Sequence, residues 1–393
     1  MVKKEPIRIL HVVQRMEAAG VQSFIMNVYR QIDRNEVQFD FLTHYSEQQF
    51  YDDEIEALGG HIYRLTVRED KNFVKYIHDL NNFFSEHREY QVVHGHMDSL
   101  GVFYLGAAKK AGIAVRIAHA HTLIEGGGLK KQVRNFINRF YKIYATKLLA
   151  CSEEAGRYMF GRDYFTVVHN PIEVEKFKYD LKIRKQTREL LGLENSLVIG
   201  NVGRFAKEKN HKFLLDIFKE ILVKRQDAKL LLIGKGETLE ETMQYAESLG
   251  VKNEILYLGI RDDVNRLYQA MDIFVFPSVY EGLGIVAIEA QAAGLPTICS
   301  DKVPDSAKVT DLFCQLSLND SKKTWSDKVI SEAENIIRTD RSKKIIDSGY
   351  DVRFVSKQLV GMYHKLIGGG YKLSYKNGLV FIPCYSPERW VAA

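Results

Sequence analysis

The sequence has little of what membrane-spanning, disulfide-bonded and nucleic-acid-binding proteins need. It holds four cysteines in 393 residues and no Cys-x-x-Cys pair, so neither a zinc knuckle nor a redox pair is indicated, and a reduced cytosolic compartment fits. No charge-free apolar run reaches the roughly 18 residues of a transmembrane helix. The 55 lysines and arginines exceed the 50 aspartates and glutamates by only five, too few to indicate a nucleic-acid partner.

The composition that is present predicts a folded chain with a sizeable core. Apolar residues make up 46% and charged residues 27%, which excludes a disordered chain. The length predicts roughly two to three domains at about 150 residues each. The first apolar run, Ile7 to Val13, is broken by Gln14 and Arg15 with no small-residue cleavage site, so we expect a first strand and not a signal peptide.

The first half of the chain alternates strand and helix patterns. Seven strands are predicted at Ile7–Val13, Gln38–Thr43, His61–Leu65, Gln91–His94, Arg116–His119, Lys147–Ala150 and Phe165–His169. Helical spacing fills segments between them, such as Asn72–His87 and Leu129–Tyr144. Strand–helix repetition predicts a parallel sheet with right-handed crossovers. Pro171 forces Asn170 towards extended geometry, and we place a domain boundary at residue 172.

The pattern then restarts over residues 173–350. Short apolar strands alternate again with helices and end in glycine or serine, as in LVIGNVGR and DIFVFPS. The fold class predicted is therefore α/β, with two doubly wound domains facing a central cleft. Ligands in such sheets bind beyond the carboxyl ends of the strands. Residues 321–367 are predicted to be wholly helical, and residues 368–393 receive no assignment.

The strongest motif is YEGLGIVAIEA at residues 280–290. Gly282 and Gly284 follow a strand and precede a helix, so the backbone can approach a ligand and the helix amides can face a phosphate. Glu281 and Glu289 bracket that turn and could accept hydroxyl hydrogen bonds at both ends of a nucleotide sugar. The alternative is a tight turn with a solvated carboxylate at each end.

A second motif, NVGRFAKEKNH at residues 201–211, offers cations after a strand that ends at Gly203. Arg204 and Lys209 form a reasonable clamp for a diphosphate at that place. The alternative is a basic surface loop that also includes Lys207.

Histidines follow two strands of the first domain. In AHAHT, residues 118–122, His121 is the preferred cleft residue, and His119 is expected to be structural. For His94 and His96 a structural and a functional role stay equally open. The chain contains neither His-Glu-x-x-His nor Asp-x-Asp, so no metal site is expected, and the loop Glu17–Val21 lacks the Gly-x-Gly-x-x-Gly fingerprint of dinucleotide binding.

Taken together, these motifs resemble the retaining glycosyltransferases of the GT-B group called family 4, which share a Glu-x7-Glu motif. The resemblance is to bacterial capsule and exopolysaccharide transferases. It covers the chain from about Ile7 to Ile367 and rests on NVGRFAKEKNH and on the segment from YLGIRDDVNRLYQAMDIFVFPS through YEGLGIVAIEAQAAGLPTICSD to VPDSAKVTDLFCQLSL.

The resemblance implies roles for residues at matching positions of both domains. Arg204 and Lys209 match the residues that hold the donor diphosphate, Glu281 the glutamate at the donor sugar and Glu289 the glutamate at the ribose. Further matches are Gly203, the backbone of Gly282, Leu283 and Gly284 at sugar and phosphate, Ile260 and Arg261 at the base, and His121 near the sugar. Gly20 matches one glycine of a pair, but Ala19 stands at the other position. Residues 351–367 would form a helix that crosses back to the first domain.

The activity implied is transfer of a hexosyl unit, with retention, from a nucleotide diphosphate sugar to a glycan acceptor in capsular or exopolysaccharide synthesis. By family frequency we expect a UDP-sugar as co-substrate, no cofactor and no metal ion. The first domain would then be the acceptor side, and the second would bind the nucleotide sugar. Two alternatives stay open: a sugar-nucleotide epimerase or hydrolase of the same architecture, and a non-catalytic nucleotide-sugar-binding subunit.

One segment suggests a membrane partner. Leu129–Lys147 carries six basic residues and no acidic one, with apolar and aromatic residues between them. This pattern is typical of a helix at an anionic membrane surface, and a polyprenyl-linked acceptor would fit it. The alternative is an ordinary domain helix. The expected location is the cytoplasm, with peripheral attachment at the inner face of the cell membrane.

Overall fold

The computed structural model describes residues 5–17, 19–96, 100–121, 136–137 and 140–368. Two parallel sheets organise this part of the chain, one within residues 7–167 and one within residues 197–316. The predicted fold class is confirmed: both sheets are doubly wound, with helices on each face.

The first sheet has seven strands in the order β3-β2-β1-β4-β5-β6-β7. Their bounds are β1 Ile7–Val12, β2 Val37–Thr43, β3 Ile62–Arg64, β4 Val92–Gly95, β5 Val115–Ala120, β6 Lys147–Ala150 and β7 Thr166–Val167. Strand order reverses between β1 and β4, which pair in parallel with His11 opposite His94.

The second sheet has six strands in the order β10-β9-β8-β11-β12-β13. Their bounds are β8 Leu197–Val202, β9 Ala228–Ile233, β10 Ile255–Tyr257, β11 Ile273–Phe276, β12 Thr297–Ser300 and β13 Phe313–Leu316. All six residues of β8 are buried, as an apolar strand covered on both faces requires. The order reverses between β8 and β11.

Helices connect the strands. In the first part of the described chain they are α1 Gly20–Gln31, α2 Asp52–Ala57, α3 Val67–Asp70, α4 Phe73–Glu86, α5 Gly101–Lys110, α6 Tyr141–Tyr144 and α7 Glu153–Phe160. In the second they are α8 Val174–Phe177, α9 Leu181–Leu191, α10 His211–Lys224, α11 Leu239–Ser248, α12 Val264–Ala270, α13 Ile285–Ala292, α14 Lys322–Asn335, α15 Ser342–Asp347 and α16 Val352–Ile367. Single 3-10 turns lie at Lys207–Lys209, Lys252–Glu254 and Asp305–Ala307.

The last helix, α16, returns to the first sheet. Asp351 caps it by accepting a hydrogen bond from the backbone N–H of Arg353 at 2.9 Å. Val355, Leu359 and Tyr363 are fully buried in the apolar cluster that contains β1 and α1 residues such as Ile9. The chain therefore crosses between the two sheets twice.

The expectation that residues 321–367 are wholly helical was wrong. Residues 336–341 and 348–351 separate three helices. Arg338 turns inward between α14 and α15 and donates to the backbone carbonyls of Tyr268, Gln269, Met271 and Ala293. Gly349, with φ of +83°, follows α15 and breaks the chain again before α16. Strand β13 was also missed, since four residues with a polar Gln315 give little alternation to detect.

Candidate active site

The second sheet brings the predicted donor residues together at its carboxyl edge. Gly203, Arg204 and Lys209 follow β8, and Glu281 follows β11, its neighbour at the point where strand order reverses. In open α/β sheets this is where a crevice forms and ligands bind.

Lys209 and Glu281 form the central contact of this edge. Their Nζ and Oε1 atoms lie 2.6 Å apart, and the two side chains are only 19% and 11% exposed. Two further bonds fix the loops that carry them: the backbone N–H of Val279 donates to the carbonyl of Glu208 at 2.7 Å, and the Asn210 amide to that of Pro277 at 3.2 Å. The two motifs therefore form one unit.

Arg204 lies at the outer side of the same loop. Its guanidinium donates to Glu208 at 2.7 Å, and its side chain is 62% exposed. Burial acts to raise the pKa of Glu208, but a backbone hydrogen bond and Arg204 lower it below the usual range. Lys207 is also exposed, and it lies in the 3-10 turn. Arg204 therefore presents a long, exposed cationic side chain on the outer side of the loop that carries Lys209.

The glycine-rich turn after β11 leads directly into α13. Gly284 has φ of +80° and stands at the helix N-cap, so the first amides of α13 point towards the turn. Leu283 is buried beneath the turn. Such a helix start can accept a phosphate, as the motif predicts.

Glu289 lies one turn into α13 and is held from behind. The hydroxyl of Tyr268 donates to its Oε2 at 3.0 Å. Burial of the carboxyl raises the pKa of Glu289 to about 7 even though this bond acts in the opposite direction. A carboxyl with that pKa is partly protonated at neutral pH, and hydrogen bonds received from ligand hydroxyls would favour its charged form.

Three glycines pack closely beside the end of β8. The backbone N–H of Gly203 donates to Ile233, and that of Gly234 donates to Gly259, so three strand ends are joined in a row. A Cβ on Gly234 would lie 2.0 Å from the carbonyl oxygen of Gly203. The sequence analysis did not include Gly234 among the candidate residues, although Gly-Lys-Gly follows β9 directly, a pattern that predicts a close backbone approach.

The remaining predicted donor residues lie at the rim. Ile260 is 55% exposed, and Arg261 forms a pair with Asp263 at 2.8 Å. Both follow β10 and Gly259. Gly20 is the first residue of α1 in the other domain, after Ala19 at the N-cap position. Open space surrounds Gly20, since nothing lies within 4 Å of a Cβ placed there.

A direct contact joins the first domain to the glycine-rich turn. Ser152 caps α7 by accepting from the N–H of Ala155, and its hydroxyl donates to the carbonyl of Gly282 at 3.1 Å. The thiol of the preceding Cys151 donates to the carbonyl of His121 at 3.4 Å. The end of β5 therefore lies beside the glycine turn of the second domain. Ser152 was missed, because its sequence pattern indicates only a helix cap.

His121 belongs to a buried cluster of histidines at the carboxyl ends of β1, β4 and β5. We define the five-histidine cluster as His11, His94, His96, His119 and His121. Nδ1 of His11 lies 2.9 Å from Nε2 of His96, and Nδ1 of His96 lies 2.9 Å from Nε2 of His121. Separately, the Tyr363 hydroxyl lies 2.7 Å from Nδ1 of His94, whose Nε2 lies 3.1 Å from Nδ1 of His119.

The same cluster offers two groups of nitrogens close enough to approach one metal ion. They are His11, His94 and His96, and His96, His119 and His121, with ligand atoms within 4.8 Å of one another. Both groups consist of neutral ligands alone, since burial lowers the pKa of every ring, that of His11 and of His121 to about 3. Most of these nitrogens already share hydrogen bonds with one another.

Comparison with known proteins identifies the chain. Residues 183–330 match the family "Glycosyl transferases group 1", and residues 19–171 match "Glycosyl transferase 4-like domain". EpsF of Bacillus subtilis (strain 168), which is named as a glycosyltransferase, is 32% identical over 370 residues, covering 91% of this chain and 96% of that protein. The chain belongs to the glycosyltransferases. The resemblance to glycosyltransferases drawn from its motifs is thereby confirmed.

Two other relatives cover this glycosyltransferase almost throughout. The UDP-Gal:alpha-D-GlcNAc-diphosphoundecaprenol alpha-1,3-galactosyltransferase of Escherichia coli is 24% identical over 89% of this chain and 95% of its own. The capsular polysaccharide biosynthesis glycosyltransferase CapH of Staphylococcus aureus is 25% identical over 91% of this chain and 98% of its own.

Solved structures share the fold of this glycosyltransferase. Anabaena Alr3699/HepE, crystallised with UDP and glucose, superposes with a TM-score of 0.76 at 15% identity, over 91% of this chain and all of that one. WaaG, a glycosyltransferase involved in lipopolysaccharide biosynthesis, gives a TM-score of 0.64 at 16% identity, over 92% of this chain and 100% of its own. The two-domain architecture is therefore that of GT-B enzymes.

The predicted membrane segment is only partly described. Within this segment residues 129–135 and 138–139 lie outside the described residues, and Tyr141–Tyr144 are helical. Phe136, Phe140 and Ile143 are exposed. Among the helices that the structure describes, none is long and apolar enough to cross a bilayer.

Proposed function

We propose that this glycosyltransferase moves a hexosyl unit, with retention, from a UDP-sugar to a polyprenyl-linked glycan in capsular or exopolysaccharide synthesis. The observation that carries the proposal is the edge where Lys209 contacts Glu281 beside the start of α13. A cation, a carboxylate and free helix amides converge there, as a sugar diphosphate requires. The E. coli relative that acts on a diphosphoundecaprenol substrate, and HepE with its bound UDP, support the donor and acceptor classes.

The mechanism proposed depends on stabilising a diphosphate leaving group. As the bond from the anomeric carbon to the phosphate oxygen breaks, negative charge grows on that oxygen. Lys209, Arg204 and the first amides of α13 would stabilise this charge. The acceptor hydroxyl attacks from the same face, and a phosphate oxygen takes its proton, which gives retention without a dedicated base.

Each of the other predicted residues has a place in this proposal. Glu281 would bind the donor sugar, Glu289 the ribose, and the backbone near Ile260 and Arg261 the base. His121, opposite the glycine turn, would contact the sugar from the first domain. No metal ion is required, since the chain lacks Asp-x-Asp and the cations named above neutralise the diphosphate.

Donor binding and transfer test this proposal together. UDP-sugars are expected to raise the melting temperature more than GDP- or ADP-sugars, because a ligand bound only to the folded state stabilises it. With the matched donor and an undecaprenyl-diphosphate glycan, Glu281→Ala and Arg204→Ala should lose most transfer, while EDTA should leave wild-type transfer unchanged.

Wild-type turnover in either variant would refute the residue roles, and loss of transfer in EDTA would refute metal independence. Donor consumption without an acceptor would favour the epimerase or hydrolase, and binding without turnover the non-catalytic subunit.

We also propose peripheral attachment at the inner face of the cell membrane. Phe73, Val74 and Ile77 on α4 are 50%, 80% and 41% exposed. The helix α5 contacts both α4 and the basic segment. Phe73 of α4 contacts Phe103 at a ring-centroid distance of 6.0 Å, and the carbonyl of Ile143 accepts from Lys109 at 3.0 Å. Exposed apolar side chains on α4 and in a segment whose sequence is rich in basic residues suit an anionic bilayer.

Vesicle flotation tests this attachment. Charge reversal of Lys130, Lys131 and Arg134 should abolish co-flotation with anionic vesicles, because each basic residue near such a surface contributes about 1 kcal/mol. Reversal of three exposed lysines of the second domain, Lys182, Lys185 and Lys343, should leave flotation unchanged. Equal loss in both triple variants would indicate a net-charge effect and contradict a specific surface.

A further inference from the structure

The hydroxyl of Tyr268 lies between two acceptors on α13. It is 3.0 Å from Oε2 of Glu289 and 3.2 Å from the backbone carbonyl oxygen of Val286, in the first turn of that helix. The Tyr268 side chain is completely buried, and its ring packs against Phe177 and Phe274 at centroid distances of 5.8 and 5.7 Å. Packing of the ring therefore fixes the hydroxyl in place, independently of Glu289.

Glu289 is held by this hydroxyl and by no ion pair within the part of the chain that the structure describes. Lys209 is engaged with Glu281, whereas burial and the Tyr268 hydroxyl are what act on the pKa of Glu289. The side chain of Glu289 is partly exposed, and its Oε1 atom has no partner among the described residues, so that oxygen is open to a ligand. A desolvated carboxylate without a counter-charge takes up a proton readily.

The other charged groups around α13 are engaged elsewhere. The elements packed against this helix are β11, β12, α8, α15 and the turn Asp305–Ala307. Cys299 on β12 stays a neutral thiol, because burial raises its pKa well above the usual value. Ion pairs occupy charged side chains of the two helices: Glu175 with Arg353, Lys176 with Glu173, Lys343 with Asp347 and Lys344 with Asp311. Asp305 is exposed, as is Arg266 on α12. The charge of Glu289 therefore depends on its own burial and its one hydrogen bond.

The Tyr268 hydroxyl can satisfy Glu289 in either charge state. A tyrosine hydroxyl has one proton to donate and lone pairs that accept. When Glu289 is charged, the hydroxyl donates to Oε2, and this charge-assisted bond is stronger than one to a neutral acceptor. When Glu289 is protonated at Oε2, the carboxyl donates to the hydroxyl oxygen, and the hydroxyl donates to the Val286 carbonyl. Rotation of one O–H bond therefore serves both states, and no heavy atom has to move.

We propose that Tyr268 is a positioning residue that holds Glu289 in one place in both protonation states, and that ribose binding by a sugar nucleotide releases a proton from Glu289. Two ribose hydroxyls and Tyr268 bring three donors to one carboxyl group. The charged carboxylate only accepts and can receive all three, whereas the protonated form must itself donate. Binding therefore selects the charged form. The inference rests on the proposed function for Glu289 as the ribose-binding group.

Calorimetric titration of the full-length protein between pH 6 and pH 8.5 tests the inference. The probe is the sugar nucleotide that gives the largest thermal shift, because its diphosphate, unlike a terminal phosphate, does not titrate in this range. Burial raises the pKa of Glu289 to about 7, so wild-type affinity should be about tenfold lower at pH 6 than at pH 8.5. Glu289→Gln should give a flat profile. The 2′-deoxyribose form of the probe should give a shallower one, since one hydroxyl donor is missing.

Tyr268→Phe removes the hydrogen bond to the charged form and keeps the ring. The midpoint of its profile should move up by about one pH unit, as loss of one hydrogen bond to a charged group predicts. Its affinity should be about fivefold below that of the wild type at pH 7 and within about twofold at pH 8.5, where binding also shows that the variant is folded. Tyr245→Phe is the matched control, because that hydroxyl also donates to a carboxylate, Oδ1 of Asp216 at 2.7 Å, and its profile should equal that of the wild type.

Three profiles would contradict the inference: a flat one in the wild type, a pH-dependent one in Glu289→Gln, and an equally steep one with the 2′-deoxyribose probe. An affinity loss in Tyr268→Phe that is the same at pH 7 and pH 8.5 would show that Tyr268 only packs. If no sugar nucleotide binds at any pH, the inference and the proposed function both fail. If the profiles are as expected but no glycosyl unit is transferred, the proposed function fails and the role of Tyr268 stands.

Discussion

Replacing Lys209 with alanine is expected to lower kcat/KM of transfer about 10²- to 10³-fold, as loss of one preorganised group at a developing charge typically does. The ammonium has two partners in the proposed reaction: Glu281, 2.6 Å away, and the donor diphosphate. Without it the carboxylate of Glu281 would repel the diphosphate. At about 4 Å and an effective dielectric of about 20, such a repulsion amounts to roughly 4 kcal/mol. Steady-state transfer with the matched donor measures the loss.

Lys212 is the matched control for Lys209. It lies in the first turn of α10 and pairs with Glu241 at 2.6 Å on the surface, so Lys212→Ala should stay within about twofold of the wild type. Combining Lys209→Ala with Glu281→Gln should cost less than the product of the two single losses, because the residues share one contact. Independent effects, or transfer by Lys209→Ala at near wild-type rate, would contradict the central role of this pair.

The second large effect expected is the destabilisation caused by Gly234→Ala. Gly234 has φ of +135°, and an added Cβ would lie 2.0 Å from the Gly203 carbonyl oxygen. Backbone strain and overpacking together should lower the free energy of unfolding by about 3 kcal/mol. At about 2–4 °C per kcal/mol for a domain of this size, the melting temperature should fall by roughly 6–12 °C. Differential scanning calorimetry measures the shift.

Gly250→Ala separates strain from clash. Gly250 also has a positive φ, of +75°, but nothing lies within 4 Å of its added Cβ, so only about 1–2 kcal/mol of strain should appear. The Gly234 variant should also bind UDP more weakly, since the displaced Gly203 begins the loop that carries Arg204 and Lys209. Equal melting temperatures in the two alanine variants would show that the close approach to Gly203 relaxes freely.

The order of strands and helices could be predicted from the sequence because uninterrupted apolar strands can only be covered on both faces. Boundaries agree within a few residues at most elements, as at β6, predicted and observed at Lys147–Ala150. The breaks after α14 could not be predicted, because the inward turn at Arg338 depends on carbonyls of Gln269, Met271 and Ala293, far away in the chain.

The candidate residues of the donor-binding edge could also be predicted from the sequence. A strand that ends in glycine and is followed by cations or carboxylates marks a ligand edge locally, so Arg204, Lys209, Glu281 and Glu289 could be nominated one motif at a time. Their roles stay predictions until tested. Which of them touch was not predictable, since the Lys209–Glu281 contact joins residues 72 positions apart.

The sequence by itself determined the class of this protein: two α/β domains, a glycosyltransferase motif set and a nearly balanced charge. These features are local, since each depends on a few neighbouring residues and their spacing. Only the tertiary structure decided that five histidines from three strands meet in one buried cluster, and that Ser152 binds the glycine turn at Gly282. Strand order and the approach of two domains set these contacts, and neither can be inferred from any single segment of the chain.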